Sequence, residues 1–206
     1  NWIEQMLAES TGKSGVGIVP LVGESFEQIS DSVFVSYLQD LKIKTDDSRV
    51  VVQLPYLDPV QIGAEFARWE FATAVAGHIL GIQPFDQKNV QEAKDATLRV
   101  LKGALNEGKA QEITELLRNV TSSDYLALLC WLPRTQENHE KVQNMKSALT
   151  KRLGISVSVG FGPRYLHSTG QLHKGGPENV SFIFIEESNG TDLDIEGEPL
   201  SFNDLN

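Results

Sequence analysis

Apolar positions along the chain follow two rhythms. Short runs bounded by turn residues recur: "GIVPLV" (17–22), "VFVSYL" (33–38), "VVVQL" (50–54), "YLALLCWL" (125–132), "ISVSVG" (155–160) and "SFIFIE" (181–186). Their length and their Val and Ile content predict strands. "ISVSVG" alternates, as a half-exposed strand does. The others are nearly continuous, as expected of strands covered on both faces.

Longer stretches carry the helical rhythm. The chain opens on one, "NWIEQMLAES". "PVQIGAEFARWEFATAVAGHIL" (59–80) follows Asp58, and Asp before Pro59 is a favourable helix opening. "NVQEAKDATLRVLKGAL" (89–105) places Val90, Ala93, Leu98, Leu101 and Leu105 on roughly one stripe. "AQEITELLRNV" (110–120) and "NHEKVQNMKSALTKRLG" (138–154) complete the set, the last with Gly154 as its C-terminal cap.

Strands separated by helices predict an α/β fold: a mostly parallel sheet with helices on both faces, a three-layer αβα sandwich. The connection between "VFVSYL" and "VVVQL" is the exception, being short for a helical crossover. Residues 1–187 read as one subdomain, and 188–206 as an acidic, solvated tail without a basic residue. The opening, with a helix already under way and no initiator Met, suggests a piece of a longer polypeptide. Ligands of such sheets bind on loops beyond the carboxyl ends of strands. "ESTGKSG", "YLDP", "GIQPFDQKN" and "PRYLHSTGQLHKGG" are the loops that qualify.

Composition narrows the function classes. The 206 residues are 40% apolar and 22% charged, ordinary for a globular chain. No run of about eighteen apolar residues predicts a membrane span. A formal net charge of −10 argues against nucleic acid, which wants clustered Lys and Arg. It leaves small anionic substrates open, since these need only a local basic pocket. Cys130, the one cysteine, lies in an apolar run and reads as core. A lone thiol forms no internal disulfide, which fits a cytoplasmic setting.

Three stretches carry chemistry. In "AESTGKSGVG", Glu9 ends an apolar helix beside Ser10, Thr11, Gly12 and Lys13, where a carboxylate is a candidate general base. The G-x-x-x-x-G-K spacing of a phosphate loop is absent. In "GIQPFDQKNVQEAK", Asp86 is a candidate cap, Gln87 falls in the first turn, where anions are favoured, and Lys94 lies about two turns in. The stretch from 163 to 176 holds Arg164, His167, Ser168, Thr169, Gln171 and His173 among three glycines. Its histidines are candidate proton carriers. A zinc site is not expected, with no cysteine near and few acidic ligands. His78, in an apolar helix, reads as a packed core histidine, and His139 as exposed.

Together these stretches resemble a family. "MLAESTGK" resembles the Glu-Ser-x-Gly-Lys segment of glucose-6-phosphate isomerases. "GHILGIQPFDQKNVQEAK" resembles their second signature, with Gly77, Ile79, Leu80, Phe85, Asp86, Gln87, Val90 and Lys94 on it, though Asn89 stands where glycine or alanine is usual. "WEFATAVAGHILGIQPFDQ", "PRYLHSTGQLHKGGP" and the tail "GEPLSF" resemble the isomerase part of bifunctional transaldolase–glucose-6-phosphate isomerase fusions. The resemblance covers nearly the whole chain.

It implies a sugar isomerase domain of the αβα type. It also implies interconversion of glucose 6-phosphate and fructose 6-phosphate through a cis-enediol, without metal or cofactor. Glu9 then matches the base that moves a proton between C1 and C2, and Lys94 the lysine that assists ring opening. Gln87 matches a substrate-contacting glutamine, and Ser10, Thr11, Gln171, His173 and Arg164 join it as substrate contacts. His167 in "HSTGQL" matches the ring-opening histidine's context but follows the Phe-Asp-Gln motif instead of preceding it, and His173 is the rival. The usual Gly-Gly-Arg motif and the hydroxyl-rich phosphate loop, normally upstream of the glutamate, are absent. The chain therefore resembles the C-terminal isomerase subdomain of a longer enzyme, with a sugar-phosphate substrate and a homodimer as partners. The alternative is a sugar-phosphate-binding module of this fold without catalysis.

Overall fold

A computed structural model describes residues 2–23, 32–37, 50–55, 58–86, 89–102, 111–187, 192–197, 199 and 201. Within these, the elements run in chain order: α1 (Trp2–Thr11), β1 (Val33–Ser36), β2 (Val50–Gln53), α2 (Ile62–Leu80), α3 (Asn89–Leu101), α4 (Ile113–Asn119), β3 (Tyr125–Trp131), α5 (Gln136–Leu153), β4 (Ser156–Phe161), α6 (Gly170–Gly175) and β5 (Val180–Glu186). Short 3-10 turns span Pro59–Gln61 and Arg164–His167.

All strand pairings are parallel. β1 pairs with β2, and a second sheet has the order β4-β3-β5. The central strand β3 is buried from Tyr125 to Cys130, which matches its continuous apolar run. Its register sets Leu126, Leu128 and Cys130 beside Val157, Val159 and Phe161 on one side and Ser181, Ile183 and Ile185 on the other. On that face they pack under Leu116 and Leu117 of α4 and Val142, Leu149 and Leu153 of α5. On the opposite face, Tyr125, Ala127 and Leu129 pack with Tyr165, Val19, Val180 and Phe182. The period-2 alternation of a strand thus builds two cores, and the parallel sheet lies between layers, as an α/β sandwich requires.

Local chemistry sets the helix ends. The Asp58 carboxylate accepts from the Val60 amide at 3.1 Å, beside Pro59 at the opening of the turn. The Thr135 hydroxyl accepts from the Asn138 amide at 3.2 Å at the start of α5. Gly81 and Gly154, at φ 70 and 69, close α2 and α5 in the left-handed conformation that costs glycine least.

Several expectations are corrected. Residues 17–22 form no strand: Pro20 has no amide to donate, and Lys13 and Val16 bridge with each other to turn the chain before it. β1 and β2 are not covered on both faces, since Val33, Val50 and Val52 are exposed. α3 buries none of its residues, and Val90, Leu98 and Leu101 of its stripe are exposed. Leu105 lies outside the described residues. His78 is exposed, not core. His139 is half-buried and stacks on Phe161 at 6.1 Å between ring centroids. Within the tail, Asp194 and Ser201 form an antiparallel bridge.

Candidate functional site

The last turn of α1 carries Glu9 and Ser10, both half-buried. The Glu9 carboxylate accepts from Gln5 Nε2 at 3.3 Å, one turn back along the same helix. These residues lie in the helix and not on a loop. Thr11 has a different role from the substrate contact expected of it. It is fully buried; its hydroxyl donates to the Leu7 carbonyl at 2.6 Å and accepts from the Ile18 amide at 2.9 Å. A hydroxyl has one proton to give, and this one is given to the helix backbone.

Lys13 is the residue that sequence reading undervalued. Only 1% of it is exposed. Its ammonium donates to the carbonyls of Gln83 at 3.1 Å, Pro84 at 2.8 Å and Asp86, and pairs with the Asp86 carboxylate at 3.3 Å. A buried ammonium is tolerated only with such a set of partners. The lysine of "ESTGK" therefore grips the backbone of "QPFD". A lysine four residues before the segment 17–22 gave no periodic signal of burial; only its long-range partners reveal it.

The third stretch closes on the same point. Gln171 is buried, and its amide nitrogen donates to the Gly12 carbonyl at 3.0 Å and to Asn89 Oδ1 at 2.7 Å. The Gly15 amide donates to the Gly175 carbonyl at 2.9 Å. A Cβ at Gly175 would lie 2.6 Å from Asn89 Oδ1 and 2.8 Å from the Gly12 carbonyl oxygen. Glycine is needed there because three segments meet at backbone distance. Asn89, the departure from the family pattern, supplies the acceptor that holds Gln171. Both amide protons of Gln171 are spent on protein acceptors, so its nitrogen is a brace between α6, α1 and α3 in place of the substrate donor expected.

Lys94 is exposed on α3. Gln87 lies outside the described residues. His167 is exposed at the end of the Arg164–His167 turn. His173, on α6, sits against Phe182 at 5.3 Å and Tyr165 at 6.1 Å between ring centroids. Its Nδ1 is buried without a hydrogen-bond partner, and burial pulls its pKa down to about 4. Desolvation penalises the imidazolium, so His173 is neutral at neutral pH and unsuited to giving up a proton there. Of the two rival histidines, His167 is the more exposed.

A separate cavity of about 200 Å³ opens beyond the carboxyl end of β4. Its floor is Ser158, Gly160 and Phe161, and its walls come from α5 and from the turn after β4. Cationic side chains Arg134, Lys146 and Arg164 line it, and among the described residues Glu4 of α1 is the carboxylate that lines it. The buried hydroxyl residues Ser168 and Thr169 complete one side. Of the substrate contacts expected from sequence, Arg164 alone lines this space; Arg134, His139, Lys146 and Ser158 were not anticipated. His139 and Lys146 sit within an ordinary amphipathic helix, Ser158 within an alternating strand and Arg134 in the segment before α5, and none of these gives a hint of a shared cavity.

Other reactive groups are inert. Cys130 is fully buried and its thiol is pushed up to about 11. Burial likewise raises Tyr125 to about 12. Among the described residues, no group of three or more His, Cys, Asp and Glu is placed to hold a metal ion, and no helix is long and apolar enough to cross a membrane. No family model matches the chain, and no solved structure matches it.

Proposed function

We propose that this chain is a sugar isomerase domain that interconverts glucose 6-phosphate and fructose 6-phosphate, as part of a larger isomerase of the transaldolase-fusion type. The observation that carries this reading is the junction. Three stretches that separately resemble the family are sewn together by Lys13, Gln171 and Gly175, with Gln171 and Gly12 separated by 159 positions in sequence. Motifs that meet this way serve one site far more readily than motifs scattered over a surface.

In the proposed reaction, His167 and Lys94 move protons at the ring oxygen and the C1 hydroxyl to open the pyranose. Glu9 removes the C2 proton of the aldehyde form, and a proton is delivered to O1, leaving a cis-enediol. The proton on Glu9 returns at C1 as the O2 hydroxyl is deprotonated, which yields the ketose. No atom is gained or lost. Ser10 and Gln87 are the hydroxyl-binding contacts, and Arg164 an electrostatic one.

The test is Glu9→Gln. General-base removal costs roughly 10²–10⁴-fold in turnover, so kcat for fructose 6-phosphate in a dehydrogenase-coupled assay falls by about that factor while KM changes little. Unchanged turnover refutes the assignment of Glu9. Substrate tritiated at C2 gives the sharper reading: label washes into water through an enediol. Binding of the sugar phosphate with the label retained would make the domain a binding module.

A further inference from the structure

We infer that the cavity beyond β4 is a binding site for the phosphoryl group of a small phosphorylated metabolite. The chain carries a formal charge of −10, yet the exposed guanidinium residues Arg134 and Arg164 line this space beside Lys146, and among the described residues Glu4 is the one carboxylate that lines it. Charge of the minority sign collected inside a concavity focuses potential on whatever enters it. The site therefore selects an anion from solution in spite of the protein's overall repulsion.

The lining offers cationic groups that suit a phosphoryl oxyanion. Arg134 and Arg164, both exposed, line the cavity, one from the segment before α5 and one from the turn after β4. Arg134 is steadied over the Phe161 ring, its Cζ 5.9 Å from the centroid. A guanidinium held over a ring loses less freedom on binding, and it meets phosphate oxygens two at a time. Lys146 is 8% exposed and donates to the Val22 carbonyl at 3.3 Å, which fixes its side chain at the cavity wall. Thr169, 8% exposed, lines the remaining side with Ser168, whose hydroxyl donates to the Tyr165 carbonyl at 3.3 Å. The volume of about 200 Å³ corresponds to roughly six or seven waters of liquid, enough for a phosphate and a short carbon skeleton. Glu9, Gln171 and Lys94 do not line the cavity; Arg164, which the proposed reaction uses as an electrostatic contact, is the residue that the two readings share.

The experiment is calorimetric titration of the chain with inorganic phosphate, and in parallel with glycerol phosphate as a minimal ester. Saturable binding is expected. Arg134→Ala weakens it by about tenfold or more, as loss of a charge-assisted hydrogen bond to a dianion does, and Arg134→Lys recovers part of that loss. Glu4→Gln tightens binding by removing like charge, and Glu9→Gln leaves it unchanged. Stronger binding of the ester marks a metabolite as the occupant, and equal binding marks free phosphate. Arg134 is at the surface, and an unchanged thermal transition of the variant shows that the fold is kept. Absence of saturable binding at millimolar phosphate overturns the proposal. So does affinity indifferent to both Arg134→Ala and Arg164→Ala, or affinity abolished by Glu9→Gln. Loss of isomerisation in Glu9→Gln with phosphate binding intact separates this site from the proposed catalytic one.

Discussion

His173 illustrates how a side chain's surroundings reverse what its chemistry suggests. As a residue type it titrates near neutrality; here, packed against Tyr165 and Phe182, it is held neutral down to about pH 4. The folded state therefore binds this proton more weakly than the unfolded chain, whose histidines titrate near 6.5. The neutral form's contribution to stability is complete above about pH 6.5 and falls as pH drops from there toward 4. Between pH 7.5 and 5 the expected loss from this group is about 2 kcal/mol. His173→Phe, which keeps an aromatic ring in the site, should remove that part of the slope. Urea midpoints of the two proteins at both pH values check it; equal slopes would show that His173 is not desolvated as described. Thr11 and Gln171 make the same point from the hydrogen-bonding side. The family resemblance implied substrate contacts for both, and their hydrogen bonds hold backbone and a neighbouring amide.

Elements were most legible where local rules suffice. α5 begins at a capping Thr135 and stops at Gly154, and both signals stand in the sequence. Gly154→Ala forces a Cβ into the left-handed conformation at φ 69 and should cost about 1 kcal/mol. Thermal unfolding reads this directly, and an unchanged transition would mean the helix ends elsewhere. Strand β3 was equally plain, because a seven-residue apolar run between turns has few alternatives. Legibility failed where burial depends on distant partners. α2 is apolar nearly all round, yet Phe71 and Ile79 are 74% and 76% exposed, and His78 with them faces solvent. Periodicity marks which face is apolar but not what lies against it. Residues 17–22 were composed like a strand, but Pro20 and the turn at Lys13–Val16 leave them unpaired.

At the scale of the whole molecule, the junction is the feature that joins early and late parts of the chain. Lys13 ties α1 to residues 83–86, and Gln171 ties α6 to both α1 and α3. Lys13→Ala leaves three inward carbonyls without their donor and Asp86 without this cation. Breaking a buried charged network of this kind costs about 2–4 kcal/mol. A urea midpoint lowered by that amount, with unchanged dependence on urea, is the expected result. Full retention of stability would show that the grip on residues 83–86 is incidental.

The chain's own order of residues determined the α/β class, the positions of most helices and of β3, β4 and β5, the caps of α5 and the inertness of Cys130. Each follows from interactions between residues a few positions apart, or from the side-chain period that a sheet or helix imposes. The tertiary structure alone decided that Lys13 is buried, that Thr11 and Gln171 are braces, and which histidine packs against aromatic rings. It also brought Arg134, Lys146 and Arg164 around one cavity in an acidic protein. Those outcomes rest on contacts between segments tens of residues apart or more, and such contacts are fixed by how the layers pack and leave no mark in the spacing of the residues that make them.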